Sequence, residues 1–267
     1  MKPETKQCQN CQEDFTIEPE DFLFYEKIKV PPPTFCPECR LQRKMTFRNE
    51  NNLHKRKCKL CNNNIISIYS NDNEDIIYCP RCWWSDKWNP EDYAQEYDFN
   101  KSYFSQFKNL ILNVPRPAFY QKNVVNSPYS NYSEDIKNCY FLFDSQGSEN
   151  ILYSKTLIKS KDTSDSYFSI RGIELCYESF FSDKCNKSIF ILYSDNCIDC
   201  SFIYNCRNCS DCFLSSNLRN KRYYFRNKQL TKEEYKKKMN SIDLGSFKEL
   251  KGLKDEFFNK IIKYTQK

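Results

Sequence analysis

Apolar residues recur along this chain at three different spacings, and each spacing predicts a different kind of element. Near the start they come in short runs. Phe15-Thr16-Ile17 predicts a strand, followed by a turn at Pro19-Glu20-Asp21 and the aromatic stretch Phe22-Leu23-Phe24-Tyr25. Further on, Ile65-Ile66-Ser67-Ile68-Tyr69-Ser70 and Ile76-Ile77-Tyr78 flank the polar turn Asn71-Asp72-Asn73-Glu74, which predicts a β-hairpin. A helical spacing takes over after Asn89-Pro90-Glu91-Asp92, a helix-start signature. Tyr103, Phe104, Phe107, Leu110, Ile111 and Val114 share one side, and Pro115-Arg116-Pro117 ends the helix. It returns at the end. Thr231-Lys232-Glu233-Glu234 is a capping box, and Ser246-Phe247-Lys248-Glu249 opens a helix with Leu250, Leu253, Phe257, Ile261 and Tyr264 along one side.

The third spacing is a repeat. Asn138-Cys139-Tyr140-Phe141 is echoed at Asn150-Ile151-Leu152-Tyr153, Asp165-Ser166-Tyr167-Phe168, Leu175-Cys176-Tyr177, Ser188-Ile189-Phe190, Asp199-Cys200-Ser201-Phe202, Asp211-Cys212-Phe213 and Lys221-Arg222-Tyr223. The step is near twelve residues, too short for a helical repeat, and each copy is a β-rich run followed by turn formers. A parallel β-solenoid, or β-helix, fits this, with two steps per coil of about twenty-four residues and three to four coils. The organisation expected is mostly β: zinc-binding modules over 1–50 and 51–88, a helical connector over 89–130, solenoid repeats over 131–226 and C-terminal helices over 227–267.

The cysteines divide in the same way. Cys8, Cys11, Cys36 and Cys39 form two C-x-x-C pairs, and Cys58, Cys61, Cys79 and Cys82 form two more. Thiolates at that spacing close a tetrahedral site, and zinc suits four of them without redox chemistry. Two Zn²⁺ per chain are expected. Sequential pairing needs the shorter loops, with a cross-brace as the alternative. Catalytic zinc keeps an open position and draws on His or carboxylate, whereas the one histidine, His54, lies in a basic run; the sites read as structural, and no enzyme activity is expected. Within the repeat, positions equivalent to Cys139, Cys176, Cys200 and Cys212 hold Ile151, Ser166 and Ile189, which marks these cysteines as small packing residues rather than ligands. Cys197, Cys200, Cys206, Cys209 and Cys212 have a spacing that leaves a third metal or an iron–sulfur cluster as the alternative.

Residues 6–48, with C-x-x-C, an acidic-aromatic insert, a second C-x-x-C and Arg40-Leu41-Gln42-Arg43-Lys44, resemble the probable zinc-ribbon domain, which implies a treble-clef-like zinc fold. Phe35-Cys36-Pro37-Glu38-Cys39-Arg40, Phe47-Arg48-Asn49-Glu50, Ser67-Ile68-Tyr69-Ser70, Trp83-Trp84-Ser85-Asp86-Lys87-Trp88 and Leu218-Arg219-Asn220-Lys221 resemble an uncharacterised zinc-ribbon protein family of genome-reduced, uncultivated bacteria. That resemblance implies zinc binding and a repetitive second half, with no assigned activity.

Charge changes the functional picture more than composition does. The net +6 arises from +7 over residues 40–59 and +8 over 221–267, against −4, −2 and −3 in the stretches 1–39, 60–133 and 134–220. Arg40, Arg43, Lys44, Arg48, Lys55, Arg56 and Lys57 are the candidate phosphate contacts of a nucleic-acid-binding or ribosome-associated protein. The alternative is a scaffold that binds a protein partner on the solenoid. A glycan-active enzyme ranks far below both, because the repeat acids sit in turn contexts. The three tryptophans are expected to wedge the second module against the connector, with base stacking as the sharper alternative. The polar N-terminus lacks a signal-peptide pattern, and no apolar run approaches the roughly 20 residues that span a bilayer, so a cytoplasmic, non-membrane protein with reduced thiols is expected.

Overall fold

The computed structural model describes residues 2–46, 51–72 and 74–262, excepting the side chain of Lys260. It divides into two compact units, Met1–Asn49 and Glu50–Lys267. Arg48, Asn73 and Tyr264 lie outside the described residues.

In the first unit, strands β1 (Glu4–Gln7) and β2 (Asp14–Ile17) pair antiparallel around the turn that holds Cys8 and Cys11. The aromatic stretch is helical: α1 spans Pro19–Lys27, with Pro19 in its first turn. Helix α2 (Pro37–Met45) begins at Cys36, whose sulfur accepts the Cys39 N–H as a cap.

The second unit opens with the same design. β3 (His54–Lys57) pairs with β4 (Asn64–Ser67) around Cys58 and Cys61, and Cys79 caps the short helix α3 (Pro80–Trp83). This corrects the hairpin expected between Ile65–Ser70 and Ile76–Tyr78. The cysteine turn already reverses the chain, so β4 takes the strand before the turn as its partner. β5 (Ile77–Tyr78) instead pairs parallel with β6 (Arg116–Pro117), after helix α4 (Tyr103–Asn113), which Ser102 caps and Val114 ends.

From Gln121 to Phe225 the chain is a parallel β-solenoid of about nine turns. Its coil is half the length expected. Partners lie twelve residues apart, as in Ser130↔Leu142, Tyr140↔Leu152, Ile189↔Ser201 and Ser210↔Arg222, with a thirteen-residue step at Ser164↔Tyr177. The backbone shows how so short a coil closes. Over most of the solenoid every third residue adopts left-handed φ, as in Asn196, Asp199, Phe202, Asn205, Asn208 and Asp211 at +49° to +56°. The residue after each is buried: Cys197, Cys200, Ile203, Cys206, Cys209 and Cys212. A turn every three residues lets four short sides close one coil.

Left-handed backbone costs an L-residue about 1–2 kcal/mol, and least for Asn and Asp, whose short polar side chains bond locally. Many of these corners are Asn or Asp, and they stack. Asn126 donates to Asn138 at 3.0 Å, Asn138 to Asn150 at 3.2 Å and Asn150 to Asp162 at 2.6 Å, while Asn196, Asn208 and Asn220 form a second ladder.

The inward column is mostly Ser, Cys, Ile and Leu. Ser188 Oγ donates to the Asn186 carbonyl at 2.9 Å and accepts the Cys200 N–H at 3.1 Å. Ser194 does the same with Leu192 and Cys206. Each solenoid cysteine donates its S–H to the carbonyl two residues before it, at 3.3 Å in Cys139, Cys176, Cys185, Cys200, Cys209 and Cys212. Ser and Cys therefore both serve at these inward positions because each carries a donor and an acceptor of the right reach. That gives the buried cysteines a polar role that packing alone does not describe.

On one outer face, Phe190, Phe202, Phe213 and Phe225 stack from coil to coil, with centroids 4.5, 5.8 and 5.2 Å apart. Helices α5 (Lys232–Met239) and α6 (Phe247–Glu256), with the turn Phe257–Ile261 that continues α6, cover them with Tyr235, Leu253 and Phe257. The capping box holds, with Thr231 and Glu234 bonded reciprocally.

Candidate metal centres

Each module brings four thiols together. The sulfur atoms of Cys8, Cys11, Cys36 and Cys39 lie within 4.8 Å of one another, and so do those of Cys58, Cys61, Cys79 and Cys82. The pairing is sequential. Among the described residues these are the two groups whose ligand atoms converge.

Local structure places the ligands identically in the two modules. The first pair sits on a tight turn closed by Gln12 N–H to Cys8 O at 3.0 Å, or Asn62 N–H to Cys58 O at 2.9 Å, with Gln12 and Asn62 at positive φ. A second bond ties the turn to the distal loop: Gln9 N–H to Thr34 O, or Lys59 N–H to Ile77 O, both 2.9 Å. The second pair spans the first turn of α2 or α3, where free N–H groups and the helix dipole favour thiolate. Cys36 N–H donates to Cys8 Sγ at 3.2 Å and Cys79 N–H to Cys58 Sγ at 3.3 Å. Asn10 Nδ2 adds a donor to Cys39 Sγ at 3.3 Å.

The donor set fits zinc. Tetrahedral Zn–S bonds of about 2.3 Å imply S···S separations of about 3.8 Å. Cys11 and Cys36 are 3.8 Å apart, and Cys61 and Cys79 are 3.9 Å apart. Ionisation points the same way. Burial works against the Cys8 thiolate, but N–H groups of Cys36, Cys11 and Asn10 outweigh it and lower the thiol to about 6. Cys58 is lowered to about 7 against its burial by N–H groups of Cys61, Cys79 and Leu60. Their neighbours move oppositely. A Glu13 N–H favours the Cys11 thiolate, yet burial and the thiols of Cys8, Cys39 and Cys36 push it up to about 12; burial and three thiols push Cys82 to about 12. One thiolate resists the next, and a central dication lets all four ionise together. The eight cysteines thus form two Cys₄ sites that fit two Zn²⁺.

The candidate phosphate contacts are less uniform than their sequence. In the first unit Arg43 lies over the Phe35 ring at 4.7 Å, Arg40 donates to Tyr25 Oη at 3.4 Å, and Lys44 is exposed. In the second, Lys55 and Lys57 are exposed, but Arg56 between them is turned inward and only 6% exposed. Its guanidinium donates to the carbonyls of Ser70 at 3.1 Å and Asp75 at 2.9 Å. It clamps the loop between β4 and β5, as strand alternation across Lys55, Arg56 and Lys57 requires. Lys59 and Arg81, which were not among the candidate contacts, are exposed on the same module. The tryptophans divide too. Trp83 and Trp88 pack at 4.8 Å with Tyr78 beside them, whereas Trp84 is 78% exposed.

No known protein-family profile matches the chain. It is similar to LIM domain-containing protein C of Dictyostelium discoideum, 36% identical over 75 residues, which cover 26% of this chain and 41% of that protein. The chain thus spans about two fifths of the relative it matches. Among the described residues no helix is long and apolar enough to cross a membrane.

Proposed function

We propose that this is a non-enzymatic zinc protein that binds nucleic acid, free or on the ribosome, through the second zinc module. The observation that carries the reading is an open basin of about 1050 Å³ on that module, where Lys55, Lys57, Lys59, Asn62, Asn64 and Asn71 outnumber the acid Glu74 in the lining. Lysines meet phosphate oxygens, amides add neutral donors, and the hairpin beneath is fixed by zinc. A zinc tetrathiolate carries two net negative charges, and some of the nearby positive charge offsets them. The exposed Trp84 supplies an aromatic plane on the same module for an unpaired base. The likeness to a LIM domain-containing protein supports the zinc-binding part of this reading.

Binding of a labelled single-stranded RNA should weaken as salt rises, with a log–log slope of about −0.7 for each phosphate contacted. Replacing Lys55, Lys57 and Lys59 together by Ser should flatten that slope by roughly 2 while zinc content stays unchanged. Identical binding by the variant and the natural protein at every salt concentration rejects the reading. A second reading, a protein-binding scaffold, is favoured by the open aromatic face of the solenoid. Recovery of a nuclease-resistant protein partner from native lysate would select it.

A further inference from the structure

The stacked aromatic face that α5 and α6 cover does not stop where they stop. At successive coils, one column of left-handed corners reads Phe141, Tyr153, Asp165, Glu178, Phe190 and Phe202. The acids stand in the middle, with aromatic residues on both sides. The helices take the half with Phe190 and Phe202. In the other half Tyr153 is 58% exposed, and Tyr140, Leu152 and Tyr167 are also open. Phe141, Phe143, Tyr153, Tyr167 and Phe180 line a groove of about 570 Å³, together with Lys155 and the acids Asp165 and Glu178.

The covered half shows what this surface holds. Along α6 and into the turn after it, Leu250, Leu253, Lys254 and Phe257 form one stripe, of which Leu253 and Phe257 are buried on the face. Lys254 Nζ lies 2.6 Å from Glu178 and 4.5 Å from the Phe190 ring centroid. The binding unit is therefore a helical stripe of apolar, apolar, Lys and apolar at i, i+3, i+4 and i+7, with the lysine on a column acid.

Helix α4 carries the same stripe: Phe104, Phe107, Lys108 and Ile111. It buries none of its residues; Phe104 is 79% exposed, and Phe107 and Ile111 are open as well. We propose that α4 of a second copy of this chain docks in the open half of the aromatic face, Lys108 taking Asp165 as Lys254 takes Glu178. Each copy has one such helix and one such groove. Made twice about a two-fold axis, the contact would close a dimer.

The test uses the full-length, zinc-loaded protein, nuclease-treated and at high salt so that nucleic acid cannot bridge two copies. It is therefore independent of the nucleic-acid reading. Sedimentation equilibrium should find twice the 32.2 kDa chain mass, dissociating on dilution. The helix variant Phe104→Glu/Phe107→Glu and the groove variant Tyr153→Glu/Tyr167→Glu should each be monomeric at concentrations where the natural protein is dimeric. All four positions are at least 36% exposed, and unchanged circular dichroism verifies that each variant is folded. An equimolar mixture restores one intact helix–groove contact and should re-associate more weakly than the natural dimer. A natural protein that is monomeric throughout overturns the proposal, as does either variant remaining dimeric or a mixture that stays monomeric. A monomer in which the helix variant newly exposes Tyr153 to chemical modification overturns it in favour of α4 folding onto its own groove.

Discussion

Replacing Ser188 by Ala tests why the interior of the solenoid uses both Ser and Cys. Ser188 is fully buried, in the column that runs from Cys176 below it to Cys200 above. Its hydroxyl is the acceptor for the Cys200 N–H at 3.1 Å and donates to the Asn186 carbonyl at 2.9 Å. In the alanine variant that carbonyl keeps the Asp199 N–H at 3.1 Å, so it is not orphaned. The Cys200 N–H has no such reserve. A buried donor left unsatisfied costs about 1–3 kcal/mol, and S188A should lose about that much. S188C retains a donor and an acceptor in the shape the neighbouring positions already accommodate, and should cost under about 1 kcal/mol. Urea unfolding followed by the β-sheet dichroism band compares the midpoints, and exchange of the Cys200 amide with deuterium locates the effect. If small size alone mattered, Ala would equal Cys. S188A unfolding with the natural protein, or S188C falling as far as S188A, refutes the hydrogen-bonding account.

Elemental analysis should give two zinc ions per chain, and Cys36→Ser should lose one and unfold the first module alone, because metal binding there is coupled to folding. Cys79→Ser should also lose one, yet speed amide exchange in the first solenoid coils more than in the last. Gly172→Ala should destabilise by roughly 1–3 kcal/mol, since left-handed backbone strains any other residue and would persist here. Its φ is +84° and the new Cβ would fall 2.5 Å from the Lys159 carbonyl oxygen. A thermal midpoint equal to that of the natural protein would show that the loop at the thirteen-residue step yields.

The metal centres were legible because their chemistry is local: a C-x-x-C turn needs few residues, and four thiolates admit few interpretations. The partner of each strand was less so. Ile65–Ser70 and Ile76–Tyr78 have equal strand character, and the choice of His54–Lys57 as the β4 partner is made by the cysteine turn. The twelve-residue step could be read from the echoing aromatics, but the number of steps per coil could not. Closing in twelve requires left-handed backbone at Phe141, Tyr153 and Lys184, residue types that do not announce it, while Asn and Asp at the other corners read as ordinary turn formers. The period of three is further hidden because Ser, Cys, Ile and Leu share the inward column. Arg56 illustrates the limit of a charge count, since one cation in a basic run is an internal clamp.

A solenoid exposes its terminal coils, and unpaired strand edges there invite further stacking. This chain closes both ends with different material. At the far end, Lys228–Gln229 turns back antiparallel on Arg222–Phe225, and α5 and α6 then cross the aromatic face. At the near end, the second zinc module is sewn to the segment that enters the first coil. Arg116 N–H bonds Ile76 O at 2.8 Å, Ala118 N–H bonds Tyr78 O at 2.9 Å, and Ile68 N–H bonds Ala118 O at 3.0 Å. Arg116 also reaches the buried Asp75 at 3.6 Å, beside the carbonyl that Arg56 holds. The loop carrying these contacts ends at Cys79, a zinc ligand. Zinc in the second module therefore fixes the entry to the solenoid as well as the basic hairpin above it, whereas zinc in the first module holds a unit that folds around its own core. The two centres share one geometry and do unequal work.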